Sequence, residues 1–282
     1  MTPDRKRIAV LFHENDRDRD LSEYAVMGMA DIWREAGHDV VFLFGARRFV
    51  PADLVFVHID LSVVPERYFR FARRYPIVVN GAVKDIRKRR FSENLLRRDD
   101  DWDGPVIVKS DLNAGGCPEG VLGRSWLTRH SSRVRRALLG RAHPLAGSGY
   151  YQVYDALAEV PPERFADRRL VVEKLRPEME NGLYHLRVYQ FLGPRETCAR
   201  LAAEGPIVKN ATAVRVDPVE PHAEIVAARR RLSMDYGKLD YVVNNGQVVL
   251  LDVNKTATSG PIPVLLRARS YRAEGLYTYF RD

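Results

Sequence analysis

The chain has 282 residues with 45 Lys+Arg against 37 Asp+Glu, a formal net charge of +8, and it is 45% apolar and 29% charged. This balance excludes a disordered tail, and the length supports one large domain or two packed ones without disulfides or a structural metal. Two cysteines, Cys117 and Cys198, exclude a disulfide framework and a Cys-rich zinc site, and no apolar run reaches the ~18 residues of a membrane span, so a cytoplasmic protein is expected.

In chain order, Arg7 to Phe12 reads as a strand, Leu21 to Ala36 as a helix ending at Gly37, His38 to Phe44 and Leu54 to Ile59 as strands, Pro65 to Arg74 as a short helix, and Ile77 to Val79 as a fourth strand. The alternation predicts βαβ units in a Rossmann-like, mainly parallel sheet. Ligands of such sheets bind beyond the carboxyl ends of the strands. Those ends carry His13 after the first strand and His58 and Asp60 after the third; they are substrate-contact candidates or helix caps. Val83 to Arg98 is expected to form a basic amphipathic helix, and Val106 to Lys109 a strand running into Gly115-Gly116. Residues 121–151 read as a long basic loop, Leu170 to Leu175 and Tyr184 to Phe191 as strands, His222 to Leu232 as a helix, and Lys238 to Val253 as a terminal hairpin.

The hairpin is the most informative stretch. Its odd positions, Leu239, Tyr241, Val243, Val249, Leu251 and Val253, form an apolar face, while Lys238, Asp240, Asp252 and Asn254 occupy even positions. A three-residue loop, Asn244 to Gly246, keeps that parity and makes the two acids diagonal neighbours at the open end. Two carboxylates and an amide oxygen suit Mg²⁺, and an exposed face of acids paired with Lys238 is the plain alternative.

Lys109 before Gly115-Gly116, then Glu173-Lys174-Leu175 with Glu180, then Lys238-x-Asp240 and Asp252-x-Asn254, occur in an order that resembles the ATP-grasp superfamily. The likeness is strongest to its D-alanine–D-alanine ligase, glutathione synthetase and ribosomal-protein glutamate ligase branches. It covers roughly residues 83–260, and the preceding region resembles the domain usually found before that fold. The resemblance implies an N-terminal domain at 1–82 and an ATP-grasp fold of two α+β subdomains, 83–172 and 173–282. It makes Lys88 and Lys109 phosphate ligands, Gly115-Gly116 a flap, Glu173 to Leu175 the adenine hinge and Glu180 the ribose ligand. Asp240, Asp252 and Asn254 would hold two Mg²⁺ ions, with Mn²⁺ as a substitute. Lys238 would stabilise an oxyanion with help from Arg187, and Lys255 joins the substrate candidates. The sequence departs from the pattern in Asp252 for the usual Glu, Lys238 for Arg, Lys255-Thr256 where a proline is usual, and a Lys88–Lys109 spacing shorter than the norm.

The activity this implies is ATP-dependent activation of a small-molecule or peptide carboxylate as an acyl phosphate, then its capture by an amine or thiol. A small-molecule kinase or a non-ligating nucleotide-binding protein is the alternative, and a homodimer is kept open. The basic charge also suggests a nucleic-acid binder using Arg124, Arg129, Arg133, Arg135, Arg136 and Arg141, but that loop lacks interleaved aromatics and a binding motif. Only eight of the basic residues are lysines, and Lys109, Lys174, Lys238 and Lys255 fall within the nucleotide and metal motifs, so the expected polyanion is ATP rather than nucleic acid.

Overall fold

The computed structural model describes residues 5–122, 151–258, 260 and 262–280. Strands β1 (Arg7–Phe12), β2 (Asp39–Phe44), β3 (Leu54–Val57) and β4 (Ile77–Val79) form a parallel sheet in the order β2-β1-β3-β4. Both faces of β1 are buried, which is why Ile8 to Phe12 is continuously apolar rather than alternating. Ile8, Val10 and Phe12 pack with Met29 and Trp33 of the helix Ala25–Glu35. Ala9 and Leu11 pack with Tyr68, Phe69 and Phe71 of the helix Glu66–Ala72.

Two antiparallel sheets follow. One has the order β6-β5-β7, from β5 (Val106–Ser110), β6 (Tyr151–Tyr154) and β7 (Leu170–Lys174). The other joins β8 (Glu178–Glu180), β9 (Leu183–Leu192), β10 (Arg195–Ala203), β11 (Arg215–Val219), β12 (Tyr236–Asn244) and β13 (Gln247–Asn254) in the order β11-β10-β9-β12-β13, with β8 on β9. The chain therefore combines a parallel with two antiparallel sheets. The expected 172/173 boundary falls inside β7; the chain changes sheets between Lys174 and Glu178. Among the described residues no helix is long and apolar enough to cross a membrane.

The expected helix over Val83 to Arg98 is not formed; only Lys88–Phe91 is helical. Its backbone is claimed by neighbours instead: Ile86 N–H donates to the Ser62 carbonyl, Lys88 N–H to Asp111, and Leu96 N–H to Val172. Val83 and Ile86 are buried beside the hairpin. Tertiary hydrogen bonds and burial override a helix-compatible pattern. The strands β6, β8, β10 and β11 had no sequence expectation; β10 opens with the partly exposed Arg195, Glu196 and Thr197 and continues as a buried run broken only by Arg200, so it shows no alternation.

The hairpin register also differs from expectation. The turn has two residues, Asn245 (φ 49°) and Gly246 (φ 78°), and Asn244 pairs with Gln247. A register shift between Asp240 and Tyr241 then sets Asp240 directly opposite Asp252, Leu239 opposite Val253 and Lys238 opposite Asn254. A β-bulge, not a longer loop, puts the acids on one face. It also splits the odd apolar set: Leu239, Tyr241, Val243 and Val253 join Val248 and Leu250 in the core, while Leu251 turns to the opposite side with Val242.

Gly237 precedes Lys238 on β12 at φ 155°, and a Cβ there would stand 2.5 Å from both the Asn254 carbonyl oxygen and Met234 Cε. Gly237→Ala is expected to destabilise the fold by about 2 kcal/mol through overpacking. Urea denaturation at neutral pH measures it.

Candidate active site

The cleft face of the larger sheet is set by the strand period. From β9 it presents Tyr184, Leu186, Val188 and Gln190; from β12 Lys238, Asp240 and Val242; from β13 Leu251 and Asp252. Facing them are Ile107 and Lys109 of β5, Tyr151 of β6, and Glu173 to Pro177. The two sheets enclose a cavity of about 310 Å³, to which Lys88 also contributes.

Three lysine–carboxylate pairs line this cavity. Lys109 Nζ lies 2.6 Å from Glu173 Oε2 and donates to the Leu251 carbonyl at 3.1 Å. Lys88 Nζ is 3.0 Å from Asp252 Oδ1 and donates to the Leu112 carbonyl at 3.2 Å. Lys238 Nζ is 2.7 Å from Asp240 Oδ2. Both members of the first pair are almost wholly buried. Burial raises the Asp240 carboxyl above its ordinary value, and Asp252 adds to the rise against Lys238. Burial also pushes Asp252 upward, but Lys88 and Lys238 outweigh it and hold the group low. Lys238 is raised: burial disfavours its charge, and Asp240 and Asp252 more than restore it.

Asp240 Oδ1 and Glu173 Oε1 are buried with no hydrogen-bond partner. An orphaned carboxylate oxygen directly opposite a second carboxylate is a donor set that fits a hard dication. Asn254 differs, because its Oδ1 already accepts from Thr256 N (2.8 Å) and Thr256 Oγ1 (3.1 Å). Among the described residues no group of three or more His, Cys, Asp or Glu side chains could hold a metal, so a third ligand of those types is absent from that set.

Of the residues singled out in the sequence, the cavity gathers Lys88, Lys109, Glu173, Lys174, Leu175, Lys238, Asp240 and Asp252. The N–H groups of Lys174 and Leu175 donate to the Asn94 and Pro105 carbonyls, so these two donors are occupied within the fold. Lys174 Nζ lies over the Trp102 ring at 4.8 Å. Glu180 and Arg187 do not line the cavity: Glu180 is paired with Arg200 at 2.6 Å and Arg187 with Glu178 at 2.8 Å. Gly115 (φ 67°) and Gly116 (φ 79°) follow Ala114 (φ 46°), a left-handed run outside the cavity lining.

The N-terminal candidates are also outside it. His13 caps the turn Glu14–Asp16, accepting from Asn15 N. His58 is fully buried among Phe12, Tyr24, Phe56 and Tyr236, and burial pushes its pKa down to about 3, so it is a neutral core residue. Asp60 accepts from Tyr24 Oη (2.8 Å) and Thr256 Oγ1 (2.7 Å). Lys255 is 2% exposed and its ammonium has no hydrogen-bond partner. The six arginines of the basic loop lie outside the described residues. Sequence reasoning missed the cavity residues Pro206 to Asn210, Thr258, Gly260, Ile262 and Leu265, none of which lies in a predicted element.

The combination of a parallel sheet with two antiparallel sheets is consistent with an ATP-grasp fold. Among solved structures, the chain is similar to the ATP-grasp ligase PsnB, complexed with minimal precursor, Mg and ADP, at 13% identity and TM-score 0.55, covering 97% of each chain. It is also similar to the RiPP-associated ATP-grasp ligase of Chryseobacterium gregarium, complexed with ADP and a leader and core peptide, at 9% identity and TM-score 0.53, covering 96% of each chain. No family model and no curated protein matches the sequence.

Proposed function

We propose that the chain is an ATP- and Mg²⁺-dependent ligase that activates a carboxylate as an acyl phosphate and passes the acyl group to an amine or thiol. The observation that carries this reading is the directly opposed Asp240–Asp252 pair, flanked by the buried Lys88 and Lys109 and the half-buried Lys238 in one cleft of an ATP-grasp fold. Both solved relatives are ligases with ADP bound, and one holds Mg. Residues 1–82 form the preceding unit in this reading and 83–282 the ATP-grasp unit.

A carboxylate resists nucleophiles because of its charge and its poor leaving group; conversion to a mixed anhydride with phosphate removes both obstacles. The chain's part is placement and charge neutralisation. Asp240 and Asp252 would hold Mg²⁺, which supplies charge neutralisation on the transferring phosphoryl oxygens when bound. Lys109 and Lys88 exchange their carboxylate partners for phosphate oxygens. Lys238 then faces the acyl carbon and donates to the oxyanion that forms as the nucleophile adds. Val242, Leu251 and Ile107 give the base an apolar slot, which the split hairpin face creates. Gly115-Gly116 is assigned the flap. Asn254 serves as a metal ligand only if Thr256 releases it, and Glu180 and Arg187 are spent on their own ion pairs.

The test is nucleotide binding by calorimetry, with Lys109→Met/Glu173→Gln, a double change that leaves neither charge alone in the interior. Loss of one charge-assisted phosphate contact is expected to weaken ADP about 10- to 100-fold. Unchanged affinity in that variant, or no ADP binding by the wild type, overturns the assignment.

A further inference from the structure

Resting on the ligase reading, we infer that the carboxylate substrate has an apolar, uncharged body, an aliphatic or aromatic acyl group rather than an acidic or basic amino acid. The cavity extends beyond the lysine–carboxylate pairs. On β9, Val188 stands opposite Asp240 and Gln190 opposite Lys238, so an apolar wall begins directly beside the reacting centre. That wall is made by Leu186, Val188, Ile207, Val208, Ile262 and Leu265. Five of these six pack in one cluster with Ala199 and Leu201 beneath, so the wall is backed by a rigid core rather than by solvent.

The charges agree with this. Among the described residues lining the cavity the only acids are Glu173, Asp240 and Asp252, and each is already held by a lysine. A substrate ammonium or guanidinium lying against the apolar wall would meet no carboxylate among its six side chains, and its burial without one is costly. The cation at this end is Lys209, exposed at the rim, with its Nζ 5.6 Å from the Tyr151 ring centre. It draws in a carboxylate; it does not match a positively charged body. A second side-chain carboxylate placed among these aliphatic groups would also be stripped of water, because none of the six side chains of the wall carries a donor. Apolar contact is the interaction the six side chains offer.

Acyl phosphate formation is read by trapping with hydroxylamine, which needs no knowledge of the natural nucleophile. A carboxylate oxygen bonds to the γ-phosphorus as the bond to the β,γ-bridging oxygen breaks, releasing ADP. The hydroxylamine nitrogen then bonds to the acyl carbon, phosphate leaves, and the nitrogen's proton passes to solvent. With the full chain, ATP and Mg²⁺, 4-methylpentanoate, 3-phenylpropanoate and N-acetyl-leucine are expected to exceed glutamate, aspartate and lysine at least ~10-fold in kcat/KM for hydroxamate, the scale of discrimination an apolar pocket achieves. Ile207→Asp, on the half-buried β10–β11 connection, is expected to lower kcat/KM for the apolar acids ~10- to 100-fold with ADP affinity unchanged, and Ile207→Leu to stay within about threefold. Preference for a charged acid, no hydroxamate from any apolar acid despite ADP binding, or an Ile207→Asp profile equal to wild type overturns this inference alone. Failure of the wild type to bind ADP at all overturns the ligase reading and this inference with it.

Discussion

Asp252→Asn is expected to abolish the tightening of ADP binding by Mg²⁺ and to slow hydroxamate formation by at least ~10³-fold. The side chain keeps its shape and loses its charge at the point where Asp240 and Asp252 face each other across the hairpin. Charge stabilisation by a bound dication contributes several kcal/mol to phosphoryl transfer, and ~1.4 kcal/mol corresponds to a tenfold change in rate. The same substitution has a structural consequence, because Lys88, with a side chain 5% exposed, loses the carboxylate 3.0 Å away. The two effects separate in Asp252→Asn/Lys88→Met, which removes the stranded ammonium. Urea stability is expected to return toward wild type in the double variant, and the metal effect is not. Calorimetric titration of ADP with and without Mg²⁺ gives the answer directly. Undiminished metal enhancement in Asp252→Asn would remove Asp252 from the metal site.

The pairing of lysines with carboxylates also bears on how ligands enter. Without ligands, three ammonium groups and three carboxylates neutralise one another in the cleft. A dication alone meets carboxylates already compensated and ammonium groups nearby. A nucleotide alone meets the lysines together with their acids. Arriving together, each supplies the partner the other displaces, so ADP and Mg²⁺ favour each other's binding, which is the linkage the Asp252→Asn titration reads.

Residue type and period carried much of this in the sequence. The parallel sheet was legible because β1 to β4 are short and apolar, with amphipathic helices between β1 and β2 and between β3 and β4. Lys109, Glu173, Lys238, Asp240 and Asp252 stand out in the sequence through an order that resembles the ATP-grasp motifs, and the cavity gathers all five. What was not legible depended on contacts between distant segments. The bulge beside Asp240 is fixed by β9 pairing with β12 through Tyr241 while β13 pairs on the other side, and no local signal marks it. The Val83 to Arg98 segment looks helical until the Ser62, Asp111 and Val172 carbonyls claim its N–H groups. The resemblance gives Glu180 to the ribose, but in the fold Arg200 on β10 pairs with it. The apolar end of the cavity joins Leu186 and Val188 of β9 to Ile207, Val208, Ile262 and Leu265, residues distant in the chain that align only once the sheet is formed.

Wild-type stability, compared with that of Lys255→Met, is expected to rise with pH between about 7.5 and 9.5 by roughly 2–3 kcal/mol. Lys255 is 2% exposed, and burial pushes its pKa down to about 7 from the ordinary 10.5, against the pull of Asp60, Asp85 and Glu119. Its Nζ and Glu119 Oε2 are both buried without hydrogen-bond partners. For a base whose folded pKa is depressed, the unfolded chain holds a proton that the folded chain has released throughout the interval between about 7 and 10.5. Raising the pH through that interval removes the unfolded state's advantage, so stability increases at about 1.4 kcal/mol per pH unit until the unfolded lysine also titrates. Below pH 7 both states carry the proton, and the folded state bears the full cost of burying an unpaired ammonium. Methionine keeps the length and removes the charge, so Lys255→Met is expected to be more stable than wild type at pH 7 and to lose that advantage by pH 9.5. Urea denaturation of both proteins across the range isolates the lysine, because every other titrating group is common to them. Parallel curves would show that the ammonium keeps its proton in the folded state, with Asp60 or Glu119 compensating it more strongly than burial opposes it.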